Sequence, residues 1–171
     1  MELRKEPLLT AAQIQKKVET LAGEISADYA GKELLLIAVL KGSLIFASDL
    51  MRRLTVPAGL EFIRARSYCQ TRSRGCCEFL MLPERPVTGR HVLIIEDIVD
   101  TGITANSIVE YLAAQDPASL DICTLLDKPA RRTTEIHPRY TGFAIENQFV
   151  VGYGMDYEEK GRNWPDIHVM K

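Results

Sequence analysis

The sequence is poor in the residues that build disulfide frameworks and zinc sites. It has four cysteines and three histidines in 171 residues, and no pair of cysteines has a C-x-x-C spacing. Zinc sites and small disulfide-linked domains depend on such regular spacings. Neither is therefore predicted, and reduced thiols are typical of a cytoplasmic protein.

Long apolar runs and an excess of positive charge are also missing. No run approaches the ~20 apolar residues of a membrane-spanning helix, and residues 1–10 lack the apolar core of a signal peptide. The formal net charge is −2, and the lysines and arginines are scattered. We therefore expect neither nucleic acid nor a membrane as a partner.

The chain has room for one domain. A chain of this length buries roughly 70% of its unfolded surface in a single core, and no linker or repeat divides it. Periodicity predicts helices over residues 11–29, 44–54 and 105–115, strands over 34–40, 91–95 and 120–126, an antiparallel pair over 60–66 and 76–82, and short strands over 142–145 and 149–153. Strands that alternate with helices, and are apolar on both faces, predict a mostly parallel α/β sheet.

Three carboxylates and three small residues follow the strand predicted at residues 91–95. They are Glu96, Asp97, Asp100, Thr101, Gly102 and Thr104. The free N–H groups of a helix N-terminus bind phosphate, whereas carboxylates repel it unless they hold a divalent cation or bind sugar hydroxyls. The pattern favours a phosphorylated sugar with magnesium. A plain polar strand end or a receiver-type acidic pocket is the alternative on this pattern alone.

Two further predicted strands end in polar turns. Lys41 and Gly42 follow the strand at 34–40, and Lys128 follows the strand at 120–126. Ligands of open α/β sheets bind at the carboxyl ends of the strands, so we expect these turns to share one crevice with residues 96–104. On composition alone, a solvated loop lysine is the commoner explanation of Lys41.

Five motifs, in order along the chain, resemble those of the bacterial-type hypoxanthine-guanine phosphoribosyltransferases. They are VLKGS at residues 39–43, SYCQTRSRG at 67–75, EDIVDTGIT at 96–104, LLDKP at 125–129 and FVVGYGMDY at 149–157. The EDIVDTGIT string resembles the phosphoribosyl-pyrophosphate motif of all type I phosphoribosyltransferases. The DKP and FVVGYGMDY strings are the motifs that indicate a 6-oxopurine.

The resemblance implies the type I phosphoribosyltransferase fold, a mostly parallel twisted sheet flanked by helices in one domain over residues 1–171. Its parts would be a core over about 10–145, a small hood subdomain formed by about 146–171 with N-terminal residues, and a flexible antiparallel lid hairpin with its loop at about 66–76. The resemblance also implies phosphoribosyl pyrophosphate and a 6-oxopurine base as ligands, Mg²⁺ as cofactor, and a homodimer or homotetramer.

The implied reaction transfers the 5-phosphoribosyl group from phosphoribosyl pyrophosphate to N9 of hypoxanthine or guanine and releases pyrophosphate. Its transition state resembles an oxocarbenium ion, so charge on the departing pyrophosphate must be neutralised. By resemblance, magnesium is held by Glu96, Asp97 and Asp156. Pyrophosphate would contact Lys41, Gly42 and Arg162. The ribose and 5′-phosphate would contact Glu96, Asp97, Asp100, Thr101, Gly102, Ile103 and Thr104.

The resemblance assigns Asp100 as the general base that takes the proton of purine N7. Repulsion from the carboxylates of Glu96 and Asp97 would help Asp100 to hold that proton, and a helix N-cap is its structural alternative. Lys128 would donate to purine O6, which rejects adenine. The other purine contacts would be Ile98, Phe149, Val150 and Asp156. The lid residues that exclude water would be Ser67 and Tyr68.

Some residues depart from the family pattern. Glu146 stands where many members have proline, and Gly161 replaces a common aromatic residue, so the preference among hypoxanthine, guanine and xanthine stays open. Arg131 and Arg132 are interpreted as a solvated turn. The functional alternatives are a pyrimidine-type transferase or RNA-binding regulator on the same fold, and a non-enzymatic receiver-like domain.

Overall fold

The structure is a computed structural model that describes residues 2–68 and 76–171. Its elements are, in chain order, α1 (Ala11–Asp28), β1 (Leu34–Val39), α2 (Leu44–Met51), β2 (Ala58–Tyr68), β3 (Cys76–Met81), β4 (His91–Val99), α3 (Ile103–Ala113), β5 (Ser119–Asp127), a 3₁₀ helix (Pro129–Arg131), β6 (Tyr140–Ala144), β7 (Val150–Val151) and β8 (His168–Val169).

Six of these strands form one sheet in the order β3-β2-β1-β4-β5-β6. Neighbouring strands are parallel, except that β3 pairs antiparallel with β2 at one edge. The predicted α/β sheet and the predicted antiparallel pair are thus confirmed. The strand order reverses between β1 and β4, and a ligand crevice forms at such a point, beyond the carboxyl ends of the strands.

The central strands are buried on both faces, as their apolar runs predicted. All six residues of β1 are buried, and their side chains alternate between two core clusters. Leu36 packs with Ile14 of α1 and Phe46 of α2, whereas Ile37 packs with Ile108 of α3. Each such side chain contributes about 1.5–3 kcal/mol of burial free energy, and this fixes the strand ends that surround the crevice.

Strand β4 is longer than predicted. Its ladder with β5 continues past the apolar run, with Glu96 opposite Thr124 and Ile98 opposite Leu126. The expectation of a turn beginning at the acidic residues was wrong, because backbone pairing continues as long as the neighbouring strand does, whatever the side chains. Glu96 and Asp97 therefore point to opposite faces of the strand.

The N-terminus of α1 agrees with the sequence prediction, and the N-terminus of α3 differs from it. Thr10 and Gln13 form the predicted capping box of α1. Helix α3 begins at Ile103, and its N-cap is Gly102 with φ +86° and no side-chain cap. The proposal of Asp100 as a helix N-cap was therefore wrong.

The C-terminal residues form a small antiparallel pair, β7 with β8. Isolated bridges join Leu3 to Met170 and Leu9 to Ile167, so the two ends of the chain are paired. The predicted strand at residues 149–153 is reduced to β7. In the described part of the chain, no helix combines the length and apolarity that a membrane crossing requires.

Candidate functional site

A cavity of about 330 Å³ opens at the point where the strand order reverses. Except for Met155, its lining residues belong to the predicted set. They come from the β1–α2 turn (Lys41, Gly42), from β4 and the residue after it (Asp97, Ile98, Asp100), from the end of β5 (Lys128), and from the C-terminal part of the chain (Phe149, Val150, Asp156, Arg162). The expectation that the strand-end turns share one crevice is met for Lys41, Asp97, Asp100 and Lys128, whereas Glu96 and the residues after Asp100 line a neighbouring pocket.

A second, smaller pocket of about 100 Å³ lies at the N-terminus of α3. It is lined by residues from the end of β4, from the loop after it and from the start of α3: Glu96, Ile98, Val99, Asp100, Thr101, Gly102, Thr104 and Ala105. Ile98 and Asp100 line both pockets, so the two meet there. The predicted phosphate residue Ile103 is the first residue of α3, where its backbone N–H is free of helical partners.

The adjacent acids Glu96 and Asp97 face different pockets. Glu96 is 6% exposed, and burial together with the charge of Asp97 raises its pKa well above the usual value. Burial likewise raises the pKa of Asp97 to about 6, against hydrogen bonds from the backbone and the nearby charge of Arg162. The buried carboxyl of Glu96 and the half-buried carboxyl of Asp97 both resist ionisation, so a bound cation would stabilise their charged forms.

The metal residues predicted from the sequence are only partly brought together. Asp97 and Asp156 line the larger cavity, while Glu96 lines the smaller pocket. Within residues 2–68 and 76–171, no three His, Cys, Asp or Glu side chains cluster as a metal site. Oxygen atoms of a bound phosphate or water would have to complete the coordination of Mg²⁺, which favours few protein ligands.

Asp100 lies between two cations. Lys128 Nζ donates to its Oδ2 at 3.4 Å, and Arg131 Nε lies 2.8 Å from its Oδ1. Oδ1 is buried and accepts no hydrogen bond from the described residues. The Arg131 contact is therefore an ion pair without the alignment of a hydrogen bond. Arg131 is exposed, as a solvated turn residue would be, but its ion pair with Asp100 was not predicted.

The segment after β5 supports the loop between β4 and α3. Lys128 N donates to Val99 O at 3.0 Å, and Thr133 N donates to Thr101 O at 2.9 Å. Arg132, also assigned to a solvated turn, is partly buried in an ion pair with Asp127. A Cβ on Gly102 would overlap with Thr134 and Arg132. The loop is thus held from behind, and its residues Thr101, Gly102 and Thr104 line the smaller pocket.

The β1–α2 turn is held by equally close contacts. The peptide between Leu40 and Lys41 is cis. A Cβ on Gly42 would overlap with the carboxylate of Asp97, and a Cβ on Gly154 would overlap with the carbonyl oxygen of Gly42. Only glycine at these two positions allows the turn, β4 and the C-terminal residues to meet.

Carboxylates accompany both cations predicted to bind pyrophosphate. Arg162 Nη2 lies 2.6 Å from Asp156 Oδ1 and 3.4 Å from Glu159 Oε2. Lys41 Nζ lies 3.0 Å from the same oxygen of Glu159, and this hydrogen bond from Lys41 lowers the pKa of Glu159. Arg162 Nη1 also donates to Gly154 O at 2.8 Å, which fixes the guanidinium at the cavity.

The base-contact residues predicted at the C-terminal side present an open aromatic surface. Phe149 is 54% exposed, the most of any large apolar side chain described. The ring of Tyr157 packs edge-on against it with centroids 5.8 Å apart. The adjacent Val150 is buried in β7. An exposed ring at a cavity wall can stack on a planar ligand.

The structure also gives the positions of the remaining predicted residues. Ser67 and Tyr68 end β2, and the rest of the predicted lid, residues 69–75, lies outside the described residues. Gly161 has φ +90°, and a Cβ there would overlap with Val151, so this backbone conformation favours glycine. Glu146 is exposed after β6.

Sequence analysis missed Met155, Arg131 and Glu159. Met155 is an apolar residue inside a motif whose neighbours were assigned, so its position could have suggested a cavity wall. Arg131 stands three residues after Lys128, close enough to reach the same carboxylate. For Glu159, no sequence signal indicates its contact with Lys41, which is 118 residues away.

A family model and the known relatives of this chain point to the same protein family. A family model described as "Phosphoribosyl transferase domain" matches residues 6–158. The hypoxanthine-guanine phosphoribosyltransferase of Mycobacterium avium is 44% identical over 166 residues, covering 93% of this chain and 82% of that protein.

Solved structures with the same fold agree. A hypoxanthine-guanine phosphoribosyltransferase from Bacillus anthracis, with a HEPES molecule in the active site, is 40% identical with a TM-score of 0.95, covering 99% of this chain and 100% of that one. The hypoxanthine phosphoribosyltransferase of Trypanosoma cruzi, in complex with the product IMP, is 38% identical with a TM-score of 0.93, covering 100% of this chain and 96% of that one.

Proposed function

Because this chain belongs to the hypoxanthine-guanine branch of the phosphoribosyltransferase family, we propose that it salvages purines by transferring the 5-phosphoribosyl group of phosphoribosyl pyrophosphate to N9 of hypoxanthine or guanine. The products are IMP or GMP and pyrophosphate. The family match excludes the receiver-like alternative. One observation carries the assignment of residues: a single cavity joins Asp100, Lys128, Phe149 and the cations Lys41 and Arg162.

The ribose 5-phosphate end of the substrate is assigned to the smaller pocket. The N–H groups at Thr101, Gly102, Ile103 and Thr104 lie at the positive end of α3, where phosphate is favoured. The carboxylates of Glu96 and Asp97 are suited to accept hydrogen bonds from the ribose hydroxyls. The supporting observation is that residues 127–134 hold this loop from behind.

The base is assigned to the cavity wall formed by Ile98, Lys128, Phe149, Val150 and Asp156. Lys128 is 6% exposed, and its ammonium donates to Asp100 Oδ2 at 3.4 Å, so it has further N–H groups to donate to purine O6. Adenine presents an amino group there, which cannot accept this hydrogen bond. Phe149 stacks on the ring, while the backbone of Val150 and the carboxylate of Asp156 contact the N1 and N2 edge.

Asp100 is assigned as the general base. It stands where the two pockets meet, next to Lys128, so a purine that bonds Lys128 through O6 brings N7 toward Asp100. Its Oδ1 lies 2.8 Å from Arg131 Nε but accepts no aligned hydrogen bond from the described residues, so it would take the N7 proton as N9 attacks the anomeric carbon. Positioned bases contribute about 10²–10⁴-fold to the rate.

Pyrophosphate, the leaving group, is assigned to Lys41, Gly42 and Arg162. Two cations and a glycine turn with exposed amides are suited to an oxyanion of high charge. Asp97, Asp156 and Glu96 would hold Mg²⁺, whose chemistry is to neutralise charge on the pyrophosphate oxygens. The raised pKa of Asp97 and of Glu96 fits carboxyls that a cation stabilises.

Several further features belong to the proposal. Ser67 and Tyr68 with the loop after them would close over the pyrophosphate and exclude water. Residues 146–171 with the N-terminal residues would act as a hood over the core, supported by the bridges between Leu3 and Met170. A homodimer or homotetramer in the cytoplasm completes it.

Initial rates over five bases test this function. With phosphoribosyl pyrophosphate and Mg²⁺, we expect turnover with hypoxanthine or guanine, and little with adenine or uracil. Xanthine is included because Glu146 and Gly161 depart from the family pattern near the site. Absence of turnover with both hypoxanthine and guanine would overturn the proposal. Turnover with uracil alone would favour the pyrimidine-type alternative.

A further inference from the structure

One carboxylate oxygen reaches both cations assigned to pyrophosphate. Oε2 of Glu159 lies 3.0 Å from Lys41 Nζ and 3.4 Å from Arg162 Nη2. We propose that Glu159 takes the place of a pyrophosphate oxygen in the free protein, and thereby weakens the binding of phosphoribosyl pyrophosphate and promotes release of pyrophosphate. The inference rests on the proposed function, in which these two cations bind the leaving group.

The turn that carries Glu159 has an unfavourable backbone for its residues. Glu158 and Glu159 have φ of +52° and +61°, and Tyr157 and Lys160 exchange two backbone hydrogen bonds of 3.0 Å across them. This is the pattern of a type I′ turn, whose two central positions favour Asn and Gly. Two consecutive glutamates there have no local conformational advantage, and such departures concentrate at functional sites.

The turn directs Glu159 toward the cavity. Asp156 Oδ2 accepts from Glu159 N at 2.9 Å, so the residue is bonded to a cavity-lining carboxylate through its backbone. The side chain of Glu159 therefore reaches Lys41, although the two residues are 118 positions apart in the sequence. Glu158, the other central residue of the turn, forms no ion pair with any described residue, although it carries the same charge.

The contact is suited to displacement. The side chains of Lys41 and Glu159 are 45% and 66% exposed, and exposed ion pairs are weak. A pyrophosphate group carries more charge than one carboxylate and can replace it on both cations. The displaced carboxylate remains tethered beside the site and repels the ligand, so it competes again when pyrophosphate has to leave.

Titration calorimetry with inorganic pyrophosphate and Mg²⁺ tests the inference directly. The proteins are wild type, Glu159→Gln and the matched control Glu158→Gln, which removes the same charge from the same turn. We expect Glu159→Gln to bind pyrophosphate about threefold to tenfold more tightly than wild type, and Glu158→Gln to stay within about twofold. Ribose 5-phosphate, which lacks the pyrophosphate, should bind all three proteins equally.

Salt provides a readout that a purely structural role of Glu159 would not change. The gain in Glu159→Gln should shrink when ionic strength rises from about 0.05 M to about 0.5 M, because exposed charges are screened over shorter distances. The KM for phosphoribosyl pyrophosphate should fall in the same variant by a similar factor. Thermal unfolding of the two variants checks that both are folded.

The outcomes separate this inference from the function on which it rests. Equal pyrophosphate affinity in Glu159→Gln and Glu158→Gln, or weaker binding in Glu159→Gln, overturns the inference even if the enzyme turns over oxopurines. If no protein binds pyrophosphate while turnover persists, the assignment of Lys41 and Arg162 fails and the inference with it. Absence of turnover in wild type is instead a failure of the proposed function.

Discussion

Two segments approach the same crevice and are built by different means. The phosphate segment, residues 96–104, continues a central strand into a helix and is held from behind by backbone bonds from residues 127–134. The C-terminal segment, residues 149–162, has little regular structure, and its cation at the cavity, Arg162, is paired with carboxylates. In the proposed function the first segment presents N–H groups to a phosphate, whereas the second exchanges its ion pairs for a ligand.

The two segments differ in the free-energy cost of binding a ligand. A preorganised loop loses little conformational freedom when phosphate binds. Binding at the C-terminal segment costs more, because its ion pairs must break first. We therefore expect substitutions in the phosphate segment to affect chemistry and phosphate affinity strongly, and substitutions in the C-terminal segment to have smaller effects.

The largest expected effect belongs to Asp100→Asn. The amide cannot take the N7 proton, so kcat should fall by at least about 100-fold, within the usual range for a positioned base. The KM values for both substrates should change far less. Steady-state kinetics with hypoxanthine measures both parameters, and an unchanged kcat would remove Asp100 as the base.

The next effect compares a glycine from each segment. Gly102→Ala places a Cβ at φ +86° against Thr134 and Arg132, and Gly154→Ala places one at φ +101° against Gly42. We expect Gly102→Ala to weaken ribose 5-phosphate binding about tenfold, or ~1.4 kcal/mol, with pyrophosphate affinity nearly kept. Gly154→Ala should weaken pyrophosphate binding and nearly keep the affinity for ribose 5-phosphate in the same calorimetric titrations. Equal losses of both ligands in both variants would mean that the segments do not act separately.

A smaller effect concerns how the C-terminal segment is anchored. Tyr153 has φ +48°, and its hydroxyl donates to the buried carboxylate of Asp49 at 2.6 Å. Tyr153→Phe should lower the free energy of unfolding by about 1 kcal/mol, because Asp49 loses one hydrogen bond and keeps those from Gln15 and Arg52. Urea unfolding measures it, with Tyr157→Phe, a partly exposed tyrosine of the same segment, as control. Equal losses in the two variants would argue against this anchor.

The smallest expected effect is a pH dependence of the same anchor. Burial would raise the pKa of Asp49, but hydrogen bonds from Tyr153, Gln15 and Arg52 outweigh burial and hold it below its usual 3.8. The unfolded chain then binds more protons near pH 4, so this stabilisation is complete above that pH and is lost as pH falls through the folded-state pKa.

Urea unfolding of wild type and Asp49→Asn at several pH values checks this expectation. The difference in unfolding free energy should be constant from about pH 7 to about pH 5 and shrink below about pH 4. A difference that stays constant to pH 3, or grows there, would contradict the assigned direction of the shift.

The same contrast explains what the sequence could predict. Runs such as residues 34–40 are apolar on both alternation phases, and this local signal is enough for a buried strand. The capping box of Thr10 and Gln13 is equally local. The phosphate segment was recognised because its residues are contiguous, although the end of β4 was misjudged, since strand length depends on the neighbour β5.

The C-terminal segment was less predictable because its geometry depends on long-range contacts. Family motifs supplied Phe149, Asp156 and Arg162, but no periodicity gives the bond between Tyr153 and Asp49 or the contact of Glu159 with Lys41. Likewise, Arg131 beside Asp100 depends on how two strand ends meet. Local pattern specifies strands and helices, whereas charge pairing across the cavity emerges only when they are assembled.

A crystal structure of the chain with IMP bound would test the assignment of the two segments most directly. We expect the phosphate on the N–H groups of residues 101–104, O6 of the base within hydrogen-bond distance of Lys128 Nζ, N7 facing Asp100, and the ring against Phe149. A phosphate bound at Lys41 and Arg162 instead, or a base away from Lys128 and Phe149, would contradict the assignment of the two segments.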